Sequence, residues 1–257
     1  MDRLAAELDL WLLDRLSAYD IRYSDDQPRD KHGRFGSTGG GSGGVRESLK
    51  SAATPSEVSS AASAEAKRIT GRDVSFDMAG ADVQIAQEHS EGVLRGLEHA
   101  PGAPLVGVGT YGPGGSLGAE WDGDEGNAGE SNGVIGFNNA VSGSHNADAY
   151  RADLRDNAES GFNSGDGSVM SVGVHEVGHV AASRVSEVTA ERTVQGMAEH
   201  LGRNPQELVE SEVSTNATRN THELVAEAFT DVVVNGDSAS ELSHQIYQSV
   251  VYSAGQK

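Results

Sequence analysis

Hydrophobic residues recur with helical periodicity in the stretch that begins near residue 168. Met170, Val174, Val177 and Ala181 follow one another at positions i, i+4, i+7 and i+11. This spacing is the apolar stripe of an amphipathic helix. The pattern predicts a helix that packs this stripe against the protein core.

A second apolar segment, 221–234, is also predicted to be helical, and it carries three acidic residues. Glu223, Glu227 and Asp231 lie at i, i+4 and i+8, so their side chains form one stripe. Buried carboxylates repel one another unless a cation or hydrogen-bond donors compensate them. The segment therefore indicates a bound cation, and the alternative is a solvated acidic face.

Other segments show shorter patterns that together predict an α+β domain with a small mixed sheet. Pro101 and Gly102 end one of the predicted helices, and Gly202 and Pro205 end another. Helices are predicted near 47–68, 82–99, 145–157, 188–201 and 239–252, and strands near 104–110, 117–121 and 133–138.

Three parts of the chain differ in composition. Residues 1–24 are predicted to form an amphipathic helix, and acidic residues in its apolar run argue against a signal peptide. Residues 25–46 contain a short basic segment and a Gly/Ser-rich stretch typical of a flexible linker. Residues 47–257 are predicted to form the main domain.

Composition excludes several classes of partner and site. A net charge of −20 argues against nucleic-acid binding by the whole domain, because phosphate contacts need lysine and arginine. No stretch approaches the roughly 20 apolar residues of a membrane span. The chain has no cysteine, so disulfides and thiolate metal sites are excluded and any metal must bind histidine and carboxylate.

The predicted helix near 168 contains His175-Glu176-Val177-Gly178-His179, an H-E-x-x-H motif. Histidines at i and i+4 share one face of a helix and can bind one Zn²⁺, while the glutamate can act on a water at the metal. A structural role for the two histidines is the alternative. Gly178 predicts the close approach of another element.

The two predicted helices together resemble the zincin metallopeptidases, and in particular the branch that contains the catalytic domain of anthrax lethal factor. The segment Glu223-Leu-Val-Ala-Glu227-Ala-Phe229 is similar to the E-x-x-A-E-x-F motif of that branch. The resemblance implies a zincin-like fold, with Glu223 as the third zinc ligand and Glu227 as a carboxylate that orients a ligand histidine.

Two features leave alternatives within this resemblance. In the thermolysin-like gluzincins the ligand glutamate is followed four residues later by aspartate, which would make Glu227 the ligand and Asp231 its supporting carboxylate. The lethal-factor branch carries a tyrosine seven residues before the ligand, where this chain has Asn216. An amide can donate a hydrogen bond to an oxyanion but cannot act as an acid, so altered or lost activity is one expectation.

The expected activity is hydrolysis of a peptide or protein substrate by a zinc metalloendopeptidase. Glu176 would be the general base that accepts a proton from water and passes it to the leaving amine. The strand predicted at 133–138 has two interpretations. It is either an edge strand that pairs with the substrate backbone or an interior strand of the sheet.

A short N-terminal motif indicates a biological context. The segment Asp26–Phe35 reads D-Q-P-R-D-x-x-G-R-F and resembles an element of head and morphogenesis proteins of tailed bacteriophages. The resemblance implies a protein of the virion or the host cytoplasm that contacts a capsid, portal or scaffold protein through residues 1–36. A noncatalytic virion protein with a zincin-like scaffold is the alternative function.

Overall fold

The structure of the protein is a computed structural model. It describes residues 42–112, 114–117, 128–131, 133–143 and 145–255. The helix predicted at 1–24 and the phage-like segment Asp26–Phe35 lie outside the described residues.

Helices account for most of the described chain. They are α1 (Ser42–Ser51), α2 (Pro55–Thr70), α3 (Val83–His99), α4 (Asn139–Ser142), α5 (Ala147–Glu159), α6 (Val169–Ala181), α7 (Arg184–Leu201), α8 (Pro205–Glu212), α9 (Thr221–Asn235) and α10 (Glu241–Gly255). Two 3₁₀ turns, Asn216–Thr218 and Gly236–Ser238, flank α9. Among the described residues, no helix combines the length and apolar character needed to span a membrane.

The first described helix begins earlier than its sequence suggests. Helix α1 starts at Ser42, inside the segment 25–46 predicted as linker, so the last five residues of that segment are helical. Leu49 is buried in the core and anchors this helix. Burial of an apolar side chain thus overcomes the weak helix propensity of the preceding glycines.

A small mixed sheet accompanies the helices and confirms the α+β class. Its strands are β1 (Ser75–Asp77), β2 (Gly107–Tyr111), β3 (Ala128–Ser131) and β4 (Val134–Asn138), in the order β1-β2-β4-β3. Strands β1, β2 and β4 are parallel, and β3 is antiparallel to β4.

The predicted strand at 133–138 is confirmed as β4, but its interpretation as an edge strand is wrong. Strand β4 pairs with β2 on one side and with β3 on the other, which makes it an interior strand. The edge strands of the sheet are β1 and β3, and α6 contacts both β3 and β4.

Helix α6 lies between α3 and α9 at the centre of the fold. Its residues Val174 and Val177 are fully buried in the core, as the apolar stripe predicts. The packing is close on both sides. A Cβ at Gly92 of α3 would meet the carbonyl oxygen of Met170, and a Cβ at Gly178 of α6 would lie 2.9 Å from Cα of Ala226. The interpretation of Gly178 as a point of close approach is therefore confirmed.

Side-chain caps define where the two central helices begin. The hydroxyl of Ser168 accepts a hydrogen bond from the backbone N–H of Ser171 at the start of α6 (3.2 Å). The side-chain oxygen of Asn220 accepts one from the N–H of Glu223 at the start of α9 (2.8 Å). Such caps satisfy backbone donors that a helix leaves free in its first turn. Both helices are thus anchored close to the residues of the candidate site.

Candidate metal centre

Helices α6 and α9 bring the three predicted metal ligands together. Nε2 of His175 and Nε2 of His179 lie 3.0 Å apart. Oε2 of Glu223 lies 3.4 Å from Nε2 of His175, and Oε1 lies 3.7 Å from Nε2 of His179. These three residues form a group that could hold a metal ion.

The spacing of these atoms suits a tetrahedral ion. Nitrogen and oxygen ligands lie about 2.0–2.1 Å from Zn²⁺, so two ligands of a tetrahedron are about 3.3–3.4 Å apart. The nitrogen–nitrogen separation of 3.0 Å lies near that value, as do the nitrogen–oxygen separations of 3.4 and 3.7 Å, which involve the two different oxygens of Glu223. Two imidazoles and one carboxylate are also a donor set that zinc accepts, with a fourth position left for water.

Glu227 lies behind His175 and is held by several donors. Its Oε1 is 3.4 Å from Nδ1 of His175, on the side of the ring opposite Nε2. Its Oε2 accepts hydrogen bonds from the backbone N–H of Ser164 (2.7 Å), the hydroxyl of Ser164 (2.6 Å) and the hydroxyl of Ser214 (3.1 Å). The Glu227 side chain is 1% exposed. This is the geometry of a carboxylate that orients a ligand histidine.

Asp231 lies at the far end of α9 and joins α9 to α10. Its Oδ1 accepts a hydrogen bond from the Asn235 amide (2.8 Å), and its Oδ2 accepts one from the backbone N–H of Ser240 (3.1 Å). The alternative register, with Glu227 as ligand and Asp231 behind it, does not fit these contacts. The acidic stripe of α9 therefore divides into three residues with different surroundings.

Asn216, which stands where the lethal-factor branch has a tyrosine, contacts two carboxylates of α9. Its side chain is buried, and its amide nitrogen donates to Oε2 of Glu223 and to Oε1 of Glu227, both at 2.9 Å. An amide has two N–H groups, so both are engaged by carboxylates. In this structure the amide therefore donates to the two carboxylates of α9, and the expectation of altered or lost activity stays a prediction.

Glu176 lies beside His175 at the edge of a cavity. Its side chain is 5% exposed. The cavity has a volume of about 150 Å³ and extends between α5, α6, α9 and the segment 160–168. Its walls include Leu154, Ala158, Val172, Gly165, Gly167 and Thr230. The polar side chains of Asn163, Ser171, Glu176 and Glu227 also line it, so the cavity combines apolar and polar surface and adjoins the candidate metal site.

The outer face of His179 is covered by a second imidazole. The rings of His179 and His222 stack with centroids 4.4 Å apart and an interplanar angle of 23°. Nδ1 of His222 lies 3.1 Å from Oε1 of Glu187 on α7. His179 is thus oriented by ring stacking, whereas His175 is oriented by a carboxylate.

The charges of the site act on its ionisable groups. Burial would lower the pKa of His175, but the hydrogen bond to Glu223 and the charges of Glu227 and Glu176 raise it to about 9. Burial, together with the charge of His175, lowers the pKa of His179. Burial would raise the pKa of Glu223, but its hydrogen bond to His175 and the charges of both histidines lower it to about 2. At neutral pH and without a metal, His175 is therefore in its charged imidazolium form.

Zinc binding at pH 7 is expected to release about one proton, because a ligand imidazole must be neutral and the pKa of His175 is about 9. For the same reason the apparent zinc affinity is expected to rise about tenfold per pH unit between pH 7 and pH 9. Titration calorimetry in two buffers with different ionisation enthalpies measures the proton count. Glu227→Gln removes a charge that raises the pKa of His175, so it should reduce the number of protons released. A binding heat that does not depend on the buffer would contradict the prediction.

Several residues of the site gave no recognisable signal in the sequence. Ser164 and Ser214 are ordinary serines in loops, and their contacts with Glu227 exist only because the chain folds back on α9. Arg219 is likewise an exposed surface residue whose Nη1 donates to Oδ1 of Asn216 at 3.4 Å. Their roles depend on tertiary packing and have no fixed spacing that a motif could record.

No family model, curated protein or solved structure matches this chain. The interpretation of the site therefore depends on its own geometry and chemistry.

Proposed function

We propose that the protein is a zinc-dependent metalloendopeptidase with a zincin-like fold. The observation that carries the proposal is the convergence of His175, His179 and Glu223 from two helices, with Glu176 next to His175 and a cavity beside it. A structural role alone would explain each histidine singly, but not three ligand atoms at zinc spacing beside a buried glutamate.

The side chains of the site divide the expected chemistry among them. His175, His179 and Glu223 would hold Zn²⁺, and Glu227 would orient His175. When bound, the ion supplies Lewis acidity towards a carbonyl and a water. Glu176 accepts a proton from the attacking water and delivers it to the nitrogen of the leaving amine. Glu176 is buried and lines the cavity beside His175.

The surroundings of the site suit an extended peptide substrate. A cavity of about 150 Å³ admits a group as large as benzene, so it can take a substrate side chain of that size next to the scissile bond. Strand β3 is an edge strand that contacts α6. Among the described residues no strand pairs with its outer edge, which could therefore take a peptide in the manner of an added strand.

The biological context of the proposal comes from the N-terminal segment. Its resemblance to phage head proteins suggests a protein of the virion or the host cytoplasm. Residues 1–36 would contact a capsid, portal or scaffold protein. Such a partner could also be the peptidase substrate.

Zinc content and peptide cleavage test the proposal together. The purified chain is expected to hold about one zinc ion, and His175→Ala and Glu223→Ala should each abolish it. Cleavage of a mixed peptide library should require the metal, so a chelator should stop it and added Zn²⁺ should restore it. Mass spectrometry of the products identifies the cleaved bonds.

His222→Ala is a useful comparison, because it removes an imidazole next to the site that is not one of the three proposed ligands. It should keep the zinc stoichiometry. A parent chain that binds no zinc would contradict the proposal and favour the noncatalytic docking role. If the parent binds zinc but cleaves no peptide, the proposed metal site stands and only the proposed peptidase activity is rejected.

A further inference from the structure

We propose that Asn216 is a positioning residue that holds Glu223 and Glu227 in place for metal binding. Glu223 is the carboxylate among the three proposed metal ligands, and Glu227 orients His175. Both accept hydrogen bonds from the same Asn216 nitrogen at 2.9 Å. The proposal rests on the metal site of the proposed function but not on its peptidase activity.

The two carboxylates need a neutral donor between them. Glu223 and Glu227 are one helical turn apart on α9, and the contacts with one nitrogen bring an oxygen of each close to the other. Ionised groups at such separations repel strongly in a buried environment. A primary amide offers two N–H groups in one plane, whereas a serine or tyrosine hydroxyl offers one and an aspartate offers none. Asparagine therefore suits this position chemically.

The backbone of Asn216 is fixed independently of its side chain. Its N–H donates to the carbonyl of Phe162 at 2.8 Å, and the N–H of Thr215 donates to the carbonyl of Gly161 at 3.0 Å. The next residue, Ala217, donates its N–H to the hydroxyl of Ser214 at 3.1 Å. The amide thus starts from a 3₁₀ turn that backbone hydrogen bonds to Gly161 and Phe162 anchor.

Arg219 and the two carboxylates favour the same orientation of the Asn216 amide. Nη1 of Arg219 donates to Oδ1 of Asn216 at 3.4 Å. If the amide were reversed, Oδ1 would face two carboxylate oxygens and the nitrogen would face the guanidinium. Both changes replace attraction by repulsion. The order Arg219, Asn216 and the two glutamates is therefore a directed chain of hydrogen bonds that ends at the metal site.

Asn216→Asp tests this role with almost no change in side-chain volume. It removes both donors and adds a third acid, so zinc affinity is expected to fall about 10- to 100-fold, as for other residues that orient metal ligands. Affinity is measured by competition with a chromogenic chelator. The visible spectrum of the Co²⁺-substituted protein should also change, because it reports the geometry of the ligands rather than stability.

Asn220→Asp is the matched control. It makes the same isosteric change four residues away and adds the same charge near the site. Aspartate caps a helix as well as asparagine does, so α9 should be preserved and zinc affinity should stay within about twofold of the parent. An equal loss in both variants, or no loss in Asn216→Asp, would overturn the proposal.

Arg219→Gln provides a second test, because Arg219 is exposed and its replacement should leave the fold intact. It replaces the charged donor to Oδ1 of Asn216 by a neutral one and so holds the amide less firmly; a smaller loss of zinc affinity and a weaker change of the Co²⁺ spectrum are expected. If Asn216→Asp does not fold, parent-like zinc affinity and Co²⁺ spectrum in Arg219→Gln would overturn the proposal. A zinc-binding parent without peptidase activity leaves these comparisons fully informative.

Discussion

Glu176→Gln is expected to bind zinc as the parent does and to lose peptide hydrolysis by a factor of about 10²–10⁴. Glutamine has nearly the same shape as glutamate, so the packing of this buried side chain, which lines the cavity, is preserved. It cannot accept a proton from water or deliver one to the leaving amine. Steady-state cleavage of a library-derived peptide and zinc content of the same sample measure the two effects separately.

Glu159→Gln is the control for this variant. Glu159 ends α5, one of the elements that line the cavity, and is exposed, so the same change in charge occurs near the cleft without removal of a buried acid. Its activity should stay within about twofold of the parent, as for ordinary surface substitutions. Full activity in Glu176→Gln with one bound zinc would show that this residue is not the general base.

Gly92→Ala is expected to reduce the free energy of unfolding by about 1–3 kcal/mol, the usual cost of overpacking a core. Alanine favours helices over glycine by about 1 kcal/mol, yet a Cβ here would collide with the backbone carbonyl of Met170 and approach Gly173. Backbone atoms of α6 cannot rotate away as a flexible side chain could. Helices α3 and α6 would have to separate, which would also shift the histidines relative to α9.

Gly196→Ala is the matched control, because Gly196 also lies inside a helix but has no atom within 4 Å of its added Cβ. Only the gain in helix propensity remains, so the free energy of unfolding should rise by up to about 1 kcal/mol. Urea unfolding of both variants, without zinc, measures the difference. A stabilised Gly92→Ala would show that α3 and α6 are not in such close contact.

The parts of the site that lie within one helix could be predicted from the sequence. Helical periodicity places His175 and His179 on one face of α6 whatever the rest of the fold does. The same rule aligns Glu223 and Glu227 on α9. It cannot say which of the two faces α6, because that depends on the rotation of one helix against the other. The resemblance to known zincins pointed to Glu223, and the geometry agrees with that choice.

The contacts of Asn216 and the identity of the edge strands could not be predicted from the sequence. An isolated asparagine in a turn gives no sign of the carboxylates that it will meet, since both contacts form only when the turn packs on α9. Strand β1 has three residues, of which only Phe76 is buried, and such a segment is too short for its periodicity to be recognised. Glycine and serine dominate the composition of the segment 42–46 and predict a linker. In the structure this segment is the first part of a helix that the buried Leu49 anchors to the core.

The bonds of Ser164 to Glu227 limit how the selectivity of the cleft could change. The segment around Ser164 supplies Asn163 and Gly165 to the cavity wall, and Asn235 also holds it through the Ser164 carbonyl (3.0 Å). Moving this wall outward to admit bulkier groups would break the bonds that steady Glu227. Variants selected for broader substrate tolerance through this wall would therefore lose metal retention as well. Leu154 and Ala158 of α5 also line the cavity, and their apolar side chains cannot hydrogen-bond to Glu227. Under the proposed function, substitutions there would change the range of accepted substrates with less effect on the proposed metal site.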